Sequence, residues 1–292
     1  MNRSTILFVA ALLTTLPGAA LAQQVNNQPG PAMTAPVDEK LVKPEGYALV
    51  WSDEFDKPGL PDPAKWANET HANKTGWYNN EQQYYSGPRR ENARVEDGHL
   101  VIEARKERLT SAADYGGQEY TSARLITQGK ADWTYGYFEI RAKLPCGKGI
   151  WPAIWTLGSG AGGWPLQGEI DIMEHVGWDP GRVHGNIHTK AYNHTIKTQK
   201  GAWTMVPTTC QAFHDYQLLW TADRIVIGVD GKGYMAFDNT SKGNKDEWPF
   251  NSPQYLLLNI AVGGWGGQEG GVDPATFPGK MEVDYVRVWQ KK

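Results

Sequence analysis

The chain has 292 residues, 29 Lys and Arg against 32 Asp and Glu, and a formal charge of −3. It contains no basic run of five or more, so neither nucleic acid nor an anionic membrane surface is expected as a partner. Its 13 Trp and 13 Tyr outnumber 7 Phe. Such rings join a flat apolar face to a polar edge, which suits sugar faces as well as an aromatic-rich core.

The first 22 residues read as a secretory leader. Arg3 is the charged start, residues 6–16 are apolar, and Ala20-Leu21-Ala22 is a small-x-small cleavage site. The apolar run is too short for a stable membrane span, and no lipid-box cysteine accompanies it. A secreted or periplasmic protein is expected. Residues 23–43, rich in Gln, Asn, Pro and Ala, are predicted to be a disordered spacer. No repeat or composition break divides the remainder, so 44–292 is read as one domain.

Within that domain nearly every element reads as β. The charged stretch 104–113 fits either a short helix or a surface loop. Residues 137–144 alternate, with Phe138, Ile140, Ala142 and Leu144 on one face and Tyr137, Glu139, Arg141 and Lys143 on the other. Cys146 and Cys210 are the only cysteines; in an exported chain an even pair reads as one disulfide, against two buried thiols. Asp230-Gly231 between apolar runs signals a hairpin. Residues 255–262 are nearly continuously apolar, as in a central strand, and 281–290 alternate again. Many short strands with 33 Gly and 18 Pro indicate a sandwich or a barrel.

The stretch GEIDIMEHVG, 168–177, holds Glu169, Asp171 and Glu174. On a strand Glu169 and Asp171 share a face, while Glu174 has the opposite parity. Helical spacing scatters all three. Either Glu174 is an unrelated surface acid, or a β-bulge at Met173 or a neighbour restores its phase. Glu174 then stands roughly 13 Å from Glu169 between Cα atoms. Side chains leaning toward each other bring the carboxyls to about 5–6 Å, the separation of a retaining glycosidase.

That stretch also resembles the catalytic strand of glycoside hydrolase family 16 in its laminarinase-like branch, whose E-I-D-I-M-E carries the extra Met. WSDEFD (51–56), WYNNEQQYY (77–85), SARLIT (122–127), GIWPAIWTLG (149–158), VHGNIHT (183–189), LLLNIAVGG (256–264) and FPGKMEVDYVRVWQ (277–290) are similar to family segments in the family's order. The resemblance covers nearly all of 46–290. It implies an all-β jelly-roll of two curved antiparallel sheets, with a sugar cleft across the concave face. It implies that Glu169 is the nucleophile, that Glu174 is the general acid/base, and that Asp171 hydrogen-bonds the nucleophile.

By the same resemblance Asn80, Arg124, Trp151, Trp155 and His188 contact substrate, and Trp265 stacks on a sugar from a glycine-rich loop. The usual G-G-N-W lacks its Asn here. Catalysis needs no cofactor, but the family's structural Ca²⁺ would use Glu54, the Gly98 carbonyl and Asp284, hard oxygen donors of the right kind. The implied function is that of a secreted, monomeric, retaining endo-β-1,3-glucanase acting on laminarin-like and mixed-linkage glucans. The alternatives are a relative acting on lichenan or on a galactan such as agarose or carrageenan, and a non-catalytic β-glucan-binding protein. The presence of both glutamates separates the enzymes from the last.

Overall fold

The computed structural model describes residues 37–292; the expected leader and most of the expected spacer lie outside them. Two sheets, antiparallel but for one parallel pair of short strands, stack with the main core between them. The larger, of eleven strands, is built around the C-terminal strand Gly279–Lys291, which pairs with His99–Lys106, Gly136–Lys143 and Tyr47–Asp53. The smaller, of seven, runs in the order Lys200–Met205, Arg182–His188, Glu169–His175, Ile150–Gly158, Gln254–Val262, Arg124–Ile126, Ala67–Asn68. This is the expected jelly-roll rather than a closed barrel. Among the described residues no helix is long and apolar enough to cross a membrane.

The continuous apolar run becomes Gln254–Val262, buried at all nine positions because it lies inside its sheet with strands on both sides. The hairpin forms at Asp230-Gly231, both with positive φ (51° and 80°), as the turns favoured in two-residue hairpins require. In 137–144 the expected apolar face is fully buried. Tyr137, assigned to the opposite face, is buried as well, because Leu41 and Val226 cover it.

Leu41 also corrects the spacer boundary. Glu39–Lys40 pairs with Lys232–Gly233 as an edge strand, and Leu41 is almost wholly buried. The spacer expected through residue 43 thus gives way to packed structure by residue 39. In 104–113 neither helix nor pure loop is found. Ala104–Lys106 completes a strand and the remainder is a loop. Cys146 and Cys210 are bonded, with Cα atoms 5.8 Å apart. They join the ends of two paired strands, where His214 lies opposite Ala142.

Candidate active site

The bulge lies where the parity problem required it. Against Ile150–Gly158, Asp171 pairs with Trp155 and Met173 with Ile154, leaving Ile172 as the extra residue. On the other side Asp171 faces Asn186 and Glu174 faces His184, with the register shift between them. Ile170, Ile172 and Met173 all enter the core. Two successive inward residues use up the odd step, and Glu174 returns to the face of Glu169 and Asp171. The driving force is burial: an unbulged strand would exchange an apolar side chain for a carboxylate in the core.

All three carboxylates line one cavity of about 550 Å³. Trp151 Nε1 donates to Glu174 Oε1 at 3.1 Å and Asn186 Nδ2 to Glu174 Oε2 at 2.6 Å. Trp164 Nε1 donates to Glu169 Oε2 at 2.7 Å. His188 Nε2 stands 3.3 Å from Asp171 Oδ2 and 3.9 Å from Glu169 Oε1. Trp151, Ala153, Trp155 and Leu157 reach the cavity at every second position of their strand, as strand alternation demands.

Burial dominates the electrostatics. Glu174 is pushed up to about 7, first by burial, with Glu169 adding repulsion and His188, Asn186 and Trp151 opposing. Glu169 is pushed up to about 8, first by burial and next by the charge on Asp171. Asp171 is itself driven well above the carboxylate range, by burial and then by Glu174. Three such groups cannot all be charged in one apolar pocket, and they titrate as a unit. With the proton on Asp171, its repulsion of Glu169 disappears, while Glu169 still accepts from Trp164.

One end of the cavity is polar. Arg124 is buried, with Nε 2.5 Å from Glu69 Oε2, and its guanidinium lies over Trp155 at 4.7 Å and Trp77 at 5.2 Å from the ring centroids. Glu81 also lines it, its carboxyl raised by burial against the opposing pull of Arg124. Trp155 Nε1 donates to Asn259 Oδ1 at 2.7 Å. The other end carries His188, His194 and Thr195.

Arg124, Trp151, Trp155 and His188 therefore reach the cavity as the sequence suggested. Asn80 does not line it; its carbonyl accepts from Gly264 N–H, and Asn79 lines the wall instead. Trp265 is 2 % exposed, edge-on to Trp151 and His184. It has no open face for a sugar and supports Trp151 from behind. Trp164, Glu69, Glu81, Asn186 and Asn259 escaped the sequence reading. Only Asn186 carried a usable signal, two residues before His188 and so on the same strand face.

The oxygen set expected for Ca²⁺ is not offered as free donors. Arg287 forks onto Glu54, with Nη2 2.7 Å from Oε2 and Nε 3.1 Å from Oε1. Asp284 meets Arg141 at 3.3 Å and His99 at 3.9 Å, while Gly98 occupies a positive-φ turn. With guanidinium groups on both carboxylates, these residues as arranged do not fit a hard cation. Glu169, Asp171 and His188 are close enough to hold an ion, but a cation there would quench the carboxylates. Cys146, Cys210 and His175 also cluster, with both sulfurs committed to the disulfide.

Comparison with known proteins shows the family. The model of glycosyl hydrolases family 16 matches residues 80–287. A beta-glucanase of Rhodothermus marinus is 53 % identical over 253 residues, covering 84 % of this chain and 85 % of the relative. The solved structure of SCLam, a non-specific endo-beta-1,3(4)-glucanase, superposes with a TM-score of 0.87 at 62 % identity, covering 93 % of this chain and all of that one. The laminarinase structure from Rhodothermus marinus gives 0.78 at 53 % identity, over 84 % and 97 % of the two chains.

Proposed function

We propose that this chain, which belongs to glycosyl hydrolase family 16, is an exported endo-β-1,3-glucanase that cleaves laminarin-like glucans, and mixed-linkage β-1,3-1,4-glucans as well, with retention of configuration. The observation that carries the reading is the bulge at Ile172, which sets Glu169, Asp171 and Glu174 on one cavity wall. A protein that only bound glucan would gain nothing from burying three carboxylates together, at a cost in stability. The leader-like residues 1–22 support export. The beta-glucanase, laminarinase and endo-beta-1,3(4)-glucanase relatives support the substrate class.

In the first step a Glu169 oxygen attacks the anomeric carbon while the bond from that carbon to the glycosidic oxygen breaks. Glu174 gives its proton to the departing oxygen. The product is a glycosyl ester on Glu169, and Glu174 is now a carboxylate. In the second step Glu174 takes a proton from water as the water oxygen bonds to the anomeric carbon, and the ester bond returns its electrons to Glu169. Ester formation removes the charge on Glu169 that opposed ionisation of Glu174, so the same residue serves as acid and then as base. Trp164 donates to the Glu169 carboxylate and holds it in place. Arg124, Trp155 and Asn259 supply charge, a ring face and an amide for the sugars on one side.

The test is stereochemical. Laminarin is hydrolysed in a proton NMR tube and the first minutes are followed before mutarotation. Two inversions return the β-anomer as the first-formed reducing end; an initial α-anomer would overturn the double displacement. Running laminarin, lichenan, agarose and carrageenan side by side fixes the substrate class, with cleavage of the galactans alone refuting it.

A further inference from the structure

Solvent-open Tyr and Trp rings are few among the described residues. Among the described residues the exposed Tyr and Trp side chains are Tyr78, Trp164 and Trp203, at 63, 38 and 49 %. Tyr78 and Trp164 line the cavity. Trp203 lies outside it, on the edge strand Lys200–Met205, yet on the same face of the same sheet. The register shows this: Ala153 pairs with Glu174, Glu174 with His184, and His184 with Trp203. Residues directly opposite one another point to one face.

Two glycines confirm the orientation. A Cβ at Gly185 would strike Tyr234 and Ile227 in the core, whereas one at Gly201 would strike Asn186 Oδ1 at 2.1 Å. Asn186 is the residue that holds Glu174. Positions 201, 203 and 205 therefore face the carboxylates' side, and Ala202 packs on the core. Gly201 also keeps the floor beside Asn186 shallow, since no side chain fits there.

Trp203 is two strands from Glu174, about 10 Å, or roughly two pyranose units. The guanidinium carbon of Arg182 stands 4.3 Å from its ring centroid, and Arg182 Nε is tied to Asp179 at 3.1 Å. One face of the indole is thus clamped, which fixes the ring, and the exposure belongs to the rest. A flat ring held rigidly in water matches the C–H face of a sugar. An endo-acting enzyme must hold chain on both sides of the broken bond. Arg124 and Trp155 serve one side, and the cavity stops at His188 and His194 on the other, where the strand bearing Trp203 continues the face.

We propose that Trp203, clamped by Arg182, is a sugar-stacking platform for the β-glucan main chain, on the far side of Glu169 and Glu174 from Arg124 and Trp155. This rests on the glucanase reading and extends it to chain-length selectivity. The test compares kcat/KM for long laminarin with kcat/KM for the shortest β-1,3-gluco-oligosaccharide the enzyme cuts. In Trp203→Ala the long-to-short ratio should fall about fivefold, carried by KM; Trp203→Phe should retain most of it, and Arg182→Ala should fall between. An unchanged ratio in Trp203→Ala, or equal loss on both substrates, overturns the platform. A parent enzyme that cuts neither substrate overturns the glucanase reading, and this inference with it.

Discussion

The two sheets each bury carboxylates, and they treat them in opposite ways. On the larger sheet Glu103 is 2 % exposed and surrounded by cations: Arg94 at 2.9 Å, Lys280 at 3.7 Å, and Arg105 in direct contact. On the smaller sheet Glu169, Asp171 and Glu174 meet no Lys or Arg at ion-pair distance among the described residues. Their partners are indole N–H groups, an amide and His188. A carboxylate fenced by cations has its charge balanced by permanent partners. Carboxylates stabilised only by neutral donors and by a titratable ring remain able to exchange a proton near neutral pH. The first arrangement serves the fold, and the second accepts instability for chemistry.

The sharpest way to break this contrast is at the glutamates. Glu169→Gln and Glu174→Gln should each lower kcat on laminarin by at least about a thousandfold, with a thermal unfolding midpoint no lower than the parent's. Azide should restore activity to Glu174→Ala on an aryl glucoside whose leaving group needs no acid. If Glu174→Gln kept most of its laminarin activity, the contrast would have no functional content.

Stability should separate the sheets next. Glu103→Ala strands three cations around a buried gap and should cost about 2 kcal/mol, below a fully buried pair because Arg105 and Lys280 are partly solvated. Its kcat should be unchanged. Asp171→Asn should do the reverse. Its carboxyl is raised in the folded state, so its contribution to stability is present below the unfolded value near 4 and is lost as pH climbs above it. The amide removes that loss, so the variant should be more stable than the parent at pH 7, while kcat drops less than for the glutamates. Urea unfolding at pH 4 and pH 7 measures both, and a parallel loss in the two variants would erase the distinction.

The smallest expected effect lies in the pH profile. Glu174, raised chiefly by burial to about 7, must stay protonated for the first step, so kcat/KM should fall as pH rises through that region. Asn186 donates to its ionised form and lowers its pKa. Asn186→Ala should therefore move the alkaline limb to higher pH, by less than about one unit. A shift to lower pH would mean that the amide presents its oxygen to a protonated Glu174.

Much of this was legible in the chain itself. Period-two alternation, the Asp230-Gly231 turn and the unbroken run before Val262 specify strands wherever they occur, because side-chain direction in a strand depends on parity alone. The spacing of Glu169, Asp171 and Glu174 left two choices, a stray surface acid at Glu174 or a bulge that brings it into phase, and the structure has the bulge. What parity could not supply was position across sheets. Trp265, an aromatic in a glycine-rich loop, has the composition of a sugar platform, yet it is buried behind Trp151. Trp203, in an unremarkable edge strand, faces water on the side of the carboxylates. Trp164 reaches Glu169 from a loop whose path no periodicity encodes, and Leu41 covers Tyr137 from a segment with the composition of a spacer. Local sequence determined which residues form strands and marked the one stretch where a bulge would bring the acids together. Only the tertiary pairing, which sets what lies over each face, decided which rings meet a ligand and which carboxylates are left without a cation.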